Sequence, residues 1–216
     1  MNHNNRKIPE TTISRLFIYL REILKLSDIG IRVVSSSELG DRLNLSDTQV
    51  RKDFSYFGQF GTSGSGYNIN ELKIVLEMIL GKDKTWNVCV IGVGHLGSAL
   101  LSYPGFKEQG LNIVAAFDAN AKKIGKEKNH LKIQPIEELL KVVKQKDLAI
   151  GIITIPGNHA QKVADSLVAA GIKCIMNFAP VSLSVPEDVK VKNVDLSREL
   201  ETLSYFLAGS KRSRKE

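Results

Sequence analysis

The sequence predicts an α/β protein in two parts: an N-terminal winged helix-turn-helix, then a Rossmann-type, doubly wound parallel sheet. Three observations carry that prediction. Up to about residue 80 the apolar residues recur at helical spacings and end in a glycine-rich turn. From Trp86 onward, apolar strand-like runs alternate with helical ones, the pattern of a parallel sheet covered on both faces. Gly92-Val93-Gly94-His95-Leu96-Gly97 lies where the first such strand meets the first such helix.

Taken in order, the first helix places Ile13, Leu16, Phe17, Leu20, Ile23 and Leu24 on one expected inner face. A second helix is expected to begin at Ser35, where Glu38 completes a capping-box pattern ahead of Leu39 and Leu43. The third is expected to start at Ser46, with Gln49 three residues on and Leu45 and Val50 placed as a hydrophobic staple. Val50, Phe54 and Phe57 mark its inner face, and Gly58 ends it. The turn Leu43-Asn44-Leu45 joins helices two and three at helix-turn-helix spacing. GQFGTSGSGYNI then suits a tight hairpin between two short strands, the wing. A fourth helix follows from about Asn70.

Gly81-Lys82-Asp83-Lys84-Thr85 is the expected boundary, giving segments 1–82, 83–194 and 195–216. In the second, VCVIG, IVAAFD, DLAIGIITI and IKCIMNF are expected strands, with helices opening at VGHLG and in AQKVADSLVAAG. The third is an apolar helix carrying Leu196, Leu200, Leu203, Phe206 and Leu207, followed by a charged tail.

Composition narrows the function. The net charge is +7, but residues 1–84 carry 12 basic and 10 acidic side chains and residues 85–196 carry 13 and 10. Neither part is basic as a whole, so a case for nucleic acid must rest on a local surface. No apolar run reaches the roughly 18 residues of a membrane span. The start, MNHNNRKIPE, has no secretory pattern, so a cytoplasmic protein is expected. Cys89 and Cys174 both sit in apolar runs and are expected to be buried, and no Cys/His spacing suggests a metal.

The glycine motif assigns a dinucleotide site. Gly92 permits the tight turn, Gly94 lets the backbone approach a pyrophosphate, and Gly97 lets helix and strand pack. Val93, His95 and Leu96 complete a loop whose N–H groups face the phosphates. Asp118 ends the next strand, 21 residues after Gly97, where a carboxylate accepts from the ribose hydroxyls and repels a 2′-phosphate. NAD and NADH are therefore favoured over the phosphorylated forms, with Lys122 and Lys123 nearby acting against that preference. Pro156 opens the turn after a later strand, another ligand-facing position, and His159 follows it.

On the third helix, Thr48, Gln49, Arg51, Lys52 and Ser55 lie off the apolar face. Arg and Gln suit base edges, and Lys and Ser suit phosphates. Tyr56 and Tyr67 flank the hairpin.

The run from Gln49 to Gly58, then Gly61, Gly64, Gly66 and Tyr67, resembles the signature of Rex redox-sensing repressors. The Gly92–Gly97 loop, Tyr103-Pro104-Gly105-Phe106 and Asn177-Phe178-Ala179-Pro180 extend the resemblance from Ile8 to Phe206. It implies a DNA-binding regulator and not an enzyme: a homodimer with a domain-swapped C-terminal helix that binds palindromic operators and is released by NADH. It implies cofactor contact by Tyr103, wing contacts from Thr62 and Ser63, and a switch made by Arg21, Tyr103 and Asp195. One departure stands out: Ser63 and Ser65 occupy wing positions where the family usually has a basic and an apolar residue.

Two rivals were weighed. A dehydrogenase needs a substrate domain, and only about 36 residues follow Pro180. A CoA- or nucleotide-binding module with no DNA role leaves residues 46–67 without a purpose.

Overall fold

The computed structural model describes residues 8–58, 60 and 65–212. The chain divides into two compact units, Met1–Lys84 and Thr85–Glu216.

The first unit is helical. Helix α1 (Glu10–Asp28) is followed by strand β1 (Val33–Val34), α2 (Ser36–Leu43), α3 (Asp47–Ser55), β2 (Tyr67–Asn68) and α4 (Ile69–Ile79). The caps fall where the sequence placed them. Ser35 and Glu38 form the complete capping box, and the Ser46 hydroxyl accepts from the Gln49 N–H at 3.1 Å. Asn44 turns the chain between α2 and α3 in the left-handed conformation, φ 56°.

The inner face of α1 differs from expectation. Tyr19 and Leu26 join Leu16, Leu20 and Ile23 in the core, whereas Ile13 and Phe17 are 40% and 43% exposed. The buried arc is rotated because the Tyr19 hydroxyl bonds inward to Asp53, a partner that hydrophobicity does not reveal. The hairpin expected for the wing falls largely outside the described residues. The partner of β2 is β1, which precedes α2, and the two pair antiparallel as Val33↔Asn68 and Val34↔Tyr67. Residues 59 and 61–64, and with them Thr62 and Ser63, lie outside the described residues.

The second unit is a seven-stranded sheet. Its elements are β3 (Trp86–Ile91), α5 (His95–Leu101), α6 (Pro104–Glu108), β4 (Leu111–Asp118), β5 (Glu127–Lys128), β6 (Leu131–Pro135), α7 (Leu139–Lys146), β7 (Leu148–Ile153), α8 (Gly157–Ala169), β8 (Cys174–Asn177), β9 (Lys190–Asn193) and α9 (Leu196–Arg212). The order is β5-β6-β4-β3-β7-β8-β9, with every pair parallel except the β5–β6 edge hairpin. The chain winds outward from β3 in one direction, then returns to β7 and winds in the other. That reversal leaves a crevice at the carboxyl ends of β3 and β7.

Sequence patterning missed β5, β6, β9 and α7. Strand β6 is short and only its Ile133 is fully buried, and β9 is a lysine-bearing edge, so neither forms an apolar run. Cys89 is buried as expected, but Cys174 is exposed, because it opens β8 at its least covered end.

Asn177, fully buried, holds the far edge of the sheet. Its amide donates to the Val181 carbonyl at 2.8 Å and the Asn193 side chain at 2.9 Å, and its oxygen accepts from the Ala179 N–H at 3.0 Å. Asn177→Leu keeps the branching but strands those groups and adds bulk at a fully buried site, so it should lower unfolding stability by about 1–3 kcal/mol or more in a denaturant titration. An unchanged midpoint would show that water satisfies them.

Candidate functional site

The glycine loop of the second unit has three glycines with two different physical reasons. At Gly92, φ is +96° and a Cβ would lie 2.4 Å from the Ile155 side chain. At Gly97 a Cβ would lie 2.0 Å from the Gly92 carbonyl oxygen. Both are required by the fold itself. Gly94 is not: its φ is −83°, and a Cβ there would meet nothing within 4 Å. Its backbone instead faces a cavity of about 490 Å³, lined also by Gly92, Asp118, Asn120, Lys123, Thr154, Pro156 and His159.

Thr154 and Asp118 hold this loop in place. The Thr154 hydroxyl donates to the Gly92 carbonyl at 2.7 Å, and its N–H donates to the Ile91 carbonyl at 2.9 Å. Asp118 accepts from the Val93 N–H at 2.8 Å, the Asn120 N–H at 2.8 Å and the Lys123 ammonium at 2.9 Å. Burial opposes its charge, but the Asn120 N–H and Lys123 outweigh that and hold the carboxyl below the usual aspartate range. A carboxylate has roughly four acceptor sites, so about one remains for a ribose hydroxyl.

Of the residues expected at this site, the structure gathers Gly92, Gly94, Asp118 and Pro156 around the cavity. Val93 packs into the core and contributes its N–H, Gly97 is buried, and His95 and Leu96 are exposed at the start of α5. Tyr103 is elsewhere. It caps α6, is 58% exposed, and lines a separate cavity of about 480 Å³ with Phe106 and Asn112. The sequence reading missed Thr154 and Asn120, whose positions at a strand end and two residues past the acid were the available signals.

In the first unit, α3 exposes Thr48, Arg51, Lys52 and Ser55 along one face, with Tyr56 half-buried at its C-terminal end. Arg51 forms an ion pair with Asp47 at 2.6 Å and donates to the Ser36 hydroxyl at 3.1 Å. Being exposed, that pair contributes little and opens readily. Lys52 has no side-chain partner among the described residues. Gln49 differs: its amide donates to buried Asp53 at 2.9 Å.

The three residues expected to form a switch, Arg21, Tyr103 and Asp195, are exposed. Arg21 has no ion-pair partner among the described residues and shares a helical stripe with exposed Ile13 and Phe17. Asp195 uses one oxygen to cap α9, accepting from the Ser197 and Arg198 N–H groups at 3.0 and 3.1 Å.

Comparison with known proteins settles the family. Residues 83–181 match the family model described as "CoA binding domain", and residues 7–55 match "Putative DNA-binding protein N-terminus". The chain is 48% identical to the redox-sensing transcriptional repressor Rex of Desulforamulus reducens, across 94% of this chain and 96% of that one. It belongs to the Rex family of redox-sensing transcriptional repressors. The Rex of Carboxydothermus hydrogenoformans is 49% identical, across 92% of this chain and 96% of that one. Among solved structures, the Rex-family repressor RSP in complex with β-NAD+ and operator DNA aligns with a TM-score of 0.90 at 38% identity, covering 98% of this chain and 97% of that one. RSP in complex with β-NADH aligns at 0.81 and 36% identity, covering 98% and 99%.

The contrast among the three glycines gives a test. Gly97→Ala should lower both thermal stability and dinucleotide binding, because the new methyl group collides with backbone. Gly94→Ala should leave the melting temperature unchanged yet weaken NADH binding at least tenfold by calorimetry. Equal NADH affinity in Gly94→Ala would remove the pyrophosphate from that position.

Proposed function

We propose that this chain is a cytoplasmic, homodimeric repressor that binds palindromic operator DNA through α3 and is released by NADH. The extents 1–82, 83–194 and 195–216 then serve as DNA-binding domain, NAD(H) domain and exchanged helix with basic tail. The observation that carries the reading is Gly94, where a Cβ would meet nothing within 4 Å among the described residues, lining a cavity at the sheet's reversal point. A pyrophosphate lying against its backbone supplies the missing reason. Gly92, Val93, Gly94, His95, Leu96, Gly97, Asp118 and Pro156 hold the dinucleotide. The open acceptor site of Asp118 favours the unphosphorylated ribose of NAD and NADH. On the DNA side, Arg51 reads a base edge once its pair with Asp47 opens, and Thr48, Lys52, Ser55 and Tyr56 contact the backbone. Thr62 and Ser63 belong to the wing.

Helix α9 supports the dimer. Leu196, Leu200, Leu203 and Phe206 are each more than half exposed, an apolar stripe that a lone chain would leave in water. The resemblance to Rex implies that α9 is exchanged and that Arg21 pairs with Asp195 of the other subunit; both residues are exposed here, which supports that pairing. The pyrophosphate and ribose are the same in NAD and NADH, so discrimination must come from the nicotinamide, cationic in one and neutral in the other. Tyr103, whose hydroxyl has no partner among the described residues, takes Asp195 from Arg21 when the neutral ring is bound.

Mobility shifts on an A·T-flanked palindrome test the assignment. NADH should release the protein at concentrations where NAD and NADPH do not. Arg51→Ala should cost about 1–3 kcal/mol of specific binding, whereas Lys52→Ala should weaken binding to every sequence and lower the salt slope by about one. Equal potency of NADH and NADPH, or native operator affinity in Arg51→Ala, would overturn the corresponding part.

The switch has its own test. Asp195→Asn keeps the helix cap but removes the charge, so it should bind DNA poorly with NAD present, while Tyr103→Phe should bind normally and need more NADH for release. Wild-type responses from both would place the switch elsewhere.

A further inference from the structure

The buried centre of the first unit is an ionised carboxylate. Asp53 has no exposed surface, and it lies on α3, the helix proposed to enter the groove. Arg15 grips it with two bonds, from Nε at 2.5 Å and Nη2 at 2.7 Å. The hydroxyls of Tyr19 and Thr12 donate to it at 2.8 and 3.1 Å, and Gln49 donates at 2.9 Å. Three of the four donor side chains come from α1, and the fourth from the turn of α3 preceding Asp53.

Such a cluster is a weak source of stability, since an apolar replacement of similar volume often serves as well. Its distinctive property is direction. The apolar face of α3 rests on Val50 and Phe54, and apolar contact is non-directional, so it leaves rotation and sliding of a nine-residue helix weakly defined. A bidentate guanidinium–carboxylate pair has one geometry. Residues 48, 51, 52 and 55 form the exposed arc of the same short helix that carries residues 49 and 53, so whatever fixes the second set fixes the angle at which the first set meets DNA.

We infer that Asp53, held by Arg15, Tyr19 and Thr12, is the positioning residue of the recognition helix, and that Gln49 belongs to this buried clamp and not to the base-reading set. The inference rests on the proposed operator binding. Gln49 has the residue type of an adenine reader, but its amide is turned inward and already paired. Arg15 keeps about a quarter of its side chain exposed, so replacing it with lysine loses the fork without burying a new charge.

The test selects duplexes from a randomised pool with the full-length wild type, Arg15→Lys, Gln49→Ala and Arg51→Ala. It then measures each protein's affinity for the enriched duplex and for a scrambled one, with circular dichroism as the check on folding. Arg15→Lys should keep the scrambled-duplex affinity within twofold while its specificity ratio falls at least tenfold and its base preferences flatten at all positions. Gln49→Ala should return the wild-type preferences with a modest, uniform loss, whereas Arg51→Ala relaxes one base pair in each half-site. A Gln49→Ala profile relaxed at a single base pair would overturn the inference, as would an Arg15→Lys protein with the wild-type ratio. Should Arg15→Lys fail to fold, the Gln49→Ala profile decides alone. A wild type that enriches no duplex would overturn operator binding itself and the clamp's role with it.

Discussion

The second unit depends on one steric constraint, the approach of the Gly92 carbonyl to the backbone at Gly97, where a side chain would lie 2.0 Å from the oxygen. That contact closes the turn between β3 and α5 and brings the start of the helix against the end of the strand. Thr154 locks the same carbonyl to β7, and Asp118 locks the next N–H to β4. Three neighbouring strands therefore converge on one peptide, at the place where the sheet reverses its winding. The cavity is a consequence: it is the space left in front of a loop held from behind.

This arrangement gives Asp118 two tasks. A carboxylate that also accepts from loop N–H groups is pre-oriented, so little freedom is lost when a ribose hydroxyl joins it. Lys123 tempers its charge. In the proposed binding mode, selectivity for the unphosphorylated ribose rests on geometry and one remaining acceptor site more than on bare repulsion of a phosphate.

The first unit answers a different demand. Its core is otherwise apolar, yet it buries an aspartate with five hydrogen bonds at its centre. Burial penalises that charge, and the bonds from Arg15 and Tyr19 outweigh the penalty, holding the carboxyl below the usual aspartate range. The same burial and bonding push the Tyr19 hydroxyl well above its ordinary value, so it stays a donor across the working pH range. The family's run from Gln49 to Gly58 thus combines an outward surface and an inward clamp in one short helix.

Much of this was legible in the chain itself. The winged-helix and Rossmann units, the capping residues Ser35 and Ser46 and the glycine loop depend on local spacing, which a linear sequence carries intact. The apolar faces of short helices were less legible, as α1 shows: Tyr19 and Leu26 replace Ile13 and Phe17 in the core because a hydrogen bond to Asp53, thirty-four residues away, sets the rotation. Strands β6 and β9 were hidden because few of their residues are buried, so neither carries an apolar run. The tertiary structure alone decided that Gly94 differs in kind from Gly92 and Gly97, that Tyr103 lies outside the cavity, and that Gln49 faces inward. Each of these is a relation between atoms distant in sequence, and residue type and spacing carry no record of such distances.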